Sequence, residues 1–236
     1  MNSLQNMLKW DFILQARYKL IHIAMLSIII YFIATEAIPE INTPTMHVTM
    51  LFFDPALIGI MFVGALILFE KSENTISSLI VTPLNISTYL QSKIITLTTL
   101  AVLSATLLTV LNAVFHEITF NLVFLYLGIV LTALMLILLG LIIVARIDSI
   151  NEYLLSFMLA FLVLIVPPML YLSELYQNDI FYLWPTQAAF ILLKGTVENL
   201  ATWEIIYSIS YLLITIALFY LLALRAFKKH VLKEGG

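Results

Sequence analysis

The chain has 236 residues, of which 62% are hydrophobic and 11% charged, with a formal net charge of −3. Soluble domains carry about a quarter charged residues, so this composition excludes an ordinary globular fold and points to an all-α integral membrane protein with several spans. The absence of cysteine excludes disulfides, thiolate metal centres and cysteine nucleophiles.

Residues 1–19 carry Leu4, Met7, Leu8, Phe12 and Ile13 at helical spacing, with Trp10 and cations nearby. This pattern predicts a short helix lying in the membrane interface. Lys9, Asp11, Arg17 and Lys19 break any early apolar run, so the segment does not read as a signal peptide. Six apolar runs then follow, at 20–37, 52–69, 94–115, 122–145, 154–172 and 205–224. Each approaches or exceeds the roughly 20 helical residues that a bilayer requires. Their hydrophobicity is continuous rather than alternating, which selects helices over barrel strands. Asp54 and Pro55, early in the second run, predict that the helix ends there at the interface. Pro167 and Pro168 predict a kink or an end late in the fifth.

Residues 173–204, between the fifth and sixth runs, contain a stretch at 180–193 too short to span. Pro185 suits a first helical position and Gly195 a stop, with Lys194 in the last turn. Ten residues give about 15 Å, half the hydrocarbon thickness, so a half-inserted, re-entrant helix is expected. Tyr176, Tyr182, Trp184 and Trp203 flank it as interfacial aromatics would.

With six spans both termini share one side. Ten of the eleven Lys and Arg residues fall on that side, and Lys194 stands alone on the other. The positive-inside rule then predicts a multi-pass plasma-membrane protein with both termini in the cytoplasm. Residues 70–93 become a cytoplasmic loop. Within it, Asn74 or Thr75 suits an N-cap, Ile76, Leu79 and Ile80 share a helical face, and Pro83 stops the helix after an extended Thr82. Ser87 suits the cap of the next helix. The loop therefore reads as a compact helix with an apolar docking face for another protein.

These residues carry a resemblance. The loop resembles the signature of ABC-2 type transporter permeases: a Glu-Lys/Arg-Glu run, Gly-Thr, an apolar pair, Thr/Ser-Pro, then a tyrosine and a lysine opening the third span. The matching residues are Glu70, Lys71, Thr75, Leu79, Ile80, Thr82, Pro83, Tyr89 and Lys93. Ser72 stands where a second acid is usual, and Asn74 where glycine is usual; asparagine tolerates left-handed backbone better than most residues. The resemblance implies a single permease domain over residues 1–236 that forms a homodimer or heterodimer. It implies a separate cytoplasmic ABC ATPase, which binds ATP-Mg while this chain holds no cofactor. It also implies a coupling role for Glu70, Lys71, Thr75, Ile76, Leu79, Ile80 and Pro83.

The sequence carries no phosphate loop of the Gly-x-x-x-x-Gly-Lys-Ser/Thr kind, no Gly-x-Ser-x-Gly elbow and no zinc helix, so a membrane enzyme is disfavoured. Nothing in it points to nucleic acid. Ser149 and Glu152 read as a capping box for the fifth span, which gives Arg146 and Asp148 a structural setting. Ala101 and Ala105 offer a small-residue contact face. His22, Glu36 and Asp54 read as interfacial, which argues against an ion-coupled transporter with a midplane site. The expected function is the permease subunit of an ATP-driven exporter for a drug, peptide or lipid-linked cargo. The alternative is a stand-alone secondary transporter or channel.

Overall fold

The computed structural model describes residues 3–38, 43–73, 75, 85–116, 119–172 and 178–230. Among these the protein is helical, with no strand. Helix α1 (Ser3–Arg17) precedes six helices long and apolar enough to cross a membrane: α2 (Leu20–Ala37), α3 (Pro44–Ser72), α4 (Ile86–His116), α5 (Leu122–Val144), α6 (Ile150–Leu172) and, after the short α7 (Pro185–Lys194), α8 (Thr202–His230). The expected all-α, six-span architecture is therefore present. Helices α3 and α5 form its centre, and most of each is buried. Helices α2, α6 and α8 are peripheral and leave most of their apolar surface uncovered.

Several boundaries differ from the sequence reading. α3 starts at Pro44, eight residues before the apolar run, because its first turns hold Thr45, His47 and Thr49. Hydropathy discounts such residues, yet His47 is buried, its ring tilted against that of Phe120 at 4.4 Å. α4 likewise starts eight residues early, at Ile86, so Tyr89 and Lys93 belong to the helix itself. Its cap is Asn85, whose Oδ1 accepts from the Ser87 amide at 3.2 Å; the Ser87 hydroxyl instead pairs with Tyr220 at 3.0 Å. Helix α6 does not stop at the prolines but runs on to Leu172.

The middle of α3 widens into a π-helical turn, Leu57–Phe62. Such turns disturb the backbone ladder, and here the neighbours fit the disturbance. Gly140 of α5 lies so close that a β-carbon would come within 3.1 Å of the Ile60 backbone. Gly64 lies directly under the ring of Tyr153 from α6, where a β-carbon would collide with it. That ring position lets the Tyr153 hydroxyl donate to the Ile60 carbonyl inside the π turn. The two glycines thus admit close packing that any side chain would block.

The short α7 has the predicted bounds, with Pro185 opening it and Gly195 closing it. Its residues from Thr186 to Leu193 are buried, against α3, α5, α6 and α8. Phe190 stacks on Phe52 of α3 at 4.0 Å. It is an interior helix of the bundle rather than a surface one. Tyr176, expected beside it, lies outside the described residues.

Candidate coupling site

Helix α1 buries one stripe, Met7, Asp11 and Gln15, at four-residue spacing. Its bulkier apolar residues, Trp10, Phe12 and Ile13, are exposed. The expected apolar set is thus divided: Met7 is buried, Leu4 and Leu8 are half-buried, Phe12 and Ile13 point away from the bundle, and the packed face is partly polar. Asp11 is only 1% exposed. A buried carboxylate needs a counter-charge and hydrogen-bond donors.

Both are supplied from α4. Lys93, itself fully buried, places its ammonium 2.6 Å from Asp11 Oδ1, and Ser92 donates to Asp11 Oδ2. The same ammonium contacts Glu70 Oε1 in the last turn of α3. Tyr89, one turn before Lys93, donates to Glu70 Oε2 at 2.5 Å. Each of the four carboxylate oxygens therefore has a partner. Glu70 sits at a helix C-terminus, where the backbone dipole disfavours an acid, so Lys93 offsets a local as well as a burial cost.

The neighbouring Lys71 points the other way. Its ammonium donates to the Ile147 carbonyl at 2.7 Å and to Asp148 at 2.6 Å, just before α6 begins. Asp148 is mostly exposed, so this pair is weaker than the buried one. Arg17 and Glu73 stand 4.0 Å apart at the surface. The residues on either side of the loop are thereby fastened to α1, to α4 and to the turn before α6.

Of the residues singled out in the sequence, Glu70, Tyr89 and Lys93 come together here, while Lys71 pairs with Asp148 on the other side. Thr75 is helical and half-buried. Ile76, Leu79, Ile80, Thr82 and Pro83 lie outside the described residues. Sequence reasoning missed Asp11, Ser92 and Asp148. A signal for Asp11 existed: it shares a helical face with Met7 and Gln15, and Lys93 stands at the edge of an apolar run where an ionisable group needs a partner.

Asp54 requires a correction. It does not mark a helix end at the interface; it is the eleventh residue of the 29-residue α3, about 15 Å from its start. It is 1% exposed and accepts hydrogen bonds from Ser104 of α4 and from Ser27 of α2, the latter at 3.2 Å. The apolar residues before Asp54 reach too few for a span, but the helix begins well upstream of them. Ala101 and Ala105, flanking Ser104 on the same α4 surface, are buried as expected of a contact face. Among the described residues, no group of three or more His, Asp or Glu side chains is placed to hold a metal ion.

No solved structure matches the chain. Two curated relatives, both named fluoroquinolones export permease protein and both from strains of Mycobacterium tuberculosis, are 30% identical over 238 residues, covering 100% of this chain and 99% of their own length. Residues 2–235 match the profile of one family along nearly the whole chain, including α1 and the fastened loop. The chain belongs to the fluoroquinolones export permease protein family.

Proposed function

We propose that this chain is the membrane-spanning subunit of an ATP-driven ABC-2 type exporter, paired with a second permease chain and with a separate cytoplasmic ATPase. Both termini and the 70–93 loop face the cytoplasm in this reading, in line with the Lys and Arg distribution. The cargo class is amphipathic drugs of the fluoroquinolone kind, carried over from the names of the relatives. The observation that carries the proposal is the buried Asp11–Lys93–Glu70 group. It ties both ends of the ABC-2-like loop to α1 and the span core, so a push on the loop moves several helices together. Glu70 and Lys71 act as the fastening residues, while Thr75, Ile76, Leu79, Ile80 and Pro83 form the docking segment.

One observation favours the rival reading. Asp54 is an ionisable group deep in a span, the kind of residue an ion-coupled transporter uses. Efflux from drug-sensitive cells separates the two, read from the fluorescence of a fluoroquinolone. The ATP-driven reading expects efflux only when a partner ABC ATPase is co-expressed, and expects it to survive a protonophore while ATP lasts. It also expects Asp54→Asn to keep efflux if the protein folds. Efflux by the chain alone that a protonophore abolishes would establish the ion-coupled reading instead.

A further inference from the structure

Pro167 and Pro168 lie inside α6. A helical proline gives no N–H to the carbonyl four residues back, which strips the Val163 and Leu164 carbonyls of their intrahelical donors. Within a membrane span such carbonyls must find other partners. The Trp184 indole N–H donates to the Val163 carbonyl at 2.7 Å, and the Thr186 hydroxyl donates to the Leu164 carbonyl. Two missing donors are replaced by two side chains, one for one and in chain order. Pro185 between them opens α7, so both replacements come from the start of a single helix.

The segment that carries these donors is gripped on its other side. Tyr207 and Tyr211 of α8 donate to the carbonyls of Tyr182 (2.5 Å) and Leu183, and Tyr182 shares a 2.8 Å hydroxyl contact with Tyr171 of α6. The 3₁₀ turn Asp179–Leu183 and the first turn of α7 therefore form a strap running from α8 to the proline site of α6.

We infer that this strap is a latch on the outer end of α6, with Trp184 and Thr186 as positioning residues that complete the helix where the prolines leave it open. When the strap is seated, the two carbonyls that the prolines leave open each hold a donor. When it lifts, two carbonyls lose their donors and α6 is free to bend at Pro167-Pro168. Resting on the export reading, the latch releases at the outer face as cargo leaves.

Pairing a donor loss with the return of the missing amide tests the assignment. Thr186→Val should lower thermal stability in the native background, while Thr186→Ser, which keeps the hydroxyl, should not. In the Pro168→Ala background the backbone amide restored at that position serves the Leu164 carbonyl, so the loss caused by Thr186→Val should shrink to less than half. Trp184→Phe with Pro167→Ala should behave the same way, which guards against failure of one variant to fold. Equal losses in both backgrounds for both pairs would overturn the assignment.

Release is tested separately in this cysteine-free chain. Cysteines replacing Tyr171 and Tyr182, whose ring centres are 5.7 Å apart, are joined by a short, cleavable thiol cross-linker in cells co-expressing the ATPase. Fluoroquinolone efflux should fall at least tenfold on cross-linking and return on cleavage. Undiminished efflux by the cross-linked protein would overturn the release step. Absence of efflux from the native chain would count against the export reading alone, because the stability comparison needs no transport.

Discussion

At the face bearing both termini, α1, α3 and α4 meet through buried charge: Lys93 between Asp11 and Glu70, with Tyr89 and Ser92 filling the remaining oxygens. At the opposite face, α6, α7 and α8 meet through neutral groups, with indole and hydroxyl donors on backbone carbonyls. Removing one member of a buried ion pair costs about 3–5 kcal/mol, because a charge is left without a partner. A single neutral hydrogen bond contributes a net ~0.5–1.5 kcal/mol. The charged junction therefore holds as a unit, while the neutral one can open bond by bond. In the proposed exporter, the charged junction would carry motion in from one face and the neutral one would open at the other.

The largest expected effect is at the centre of the charged junction. Lys93→Met leaves two buried carboxylates facing each other, and about 3–5 kcal/mol of stability should be lost. Heating the extracted protein and measuring the fraction that stays folded checks this; native-like heat resistance would dissolve the contrast between the two faces. Tyr89→Phe comes next. It strips Glu70 Oε2 of its donor without touching the ion pair, for roughly 1–3 kcal/mol. The smallest effect is expected at Lys71→Ala, whose partner Asp148 is 73% exposed and whose pair is worth about 0–1 kcal/mol. Added salt should shrink the Lys71 effect and leave the Lys93 effect unchanged. A Lys71 loss as large as that of Lys93 would show that burial is not what separates these lysines.

The span count and the bounds of α7 were legible in the sequence because both rest on local signals: long apolar runs for the one, Pro185 and Gly195 for the other. The charged junction was half legible. Glu70, Tyr89 and Lys93 stand within one motif, but Asp11 is more than 80 residues from Lys93, and no local pattern joins them. The strap was illegible for a different reason. Pro167-Pro168 announces two orphaned carbonyls, yet nothing local says which donors will meet them. Asp54 was misplaced because hydropathy locates the oiliest stretch of a helix, and α3 starts eight residues before it with threonines and a buried histidine.

The central claim is that the Asp11–Lys93–Glu70 group fixes the register through which the proposed ATPase drives the spans. The direct test replaces all three at once, as Asp11→Leu, Glu70→Leu and Lys93→Met. With all three charges of the group gone, the protein should regain most of the stability lost by Lys93→Met alone. Apolar contacts are non-directional, so α1 and α3 should then slip against α4. In liposomes containing the permease and its ATPase, the measurement is fluoroquinolone transported per ATP hydrolysed. The account predicts that the triple variant binds the ATPase and supports hydrolysis while this ratio falls at least tenfold. A folded triple variant with the native ratio would contradict it.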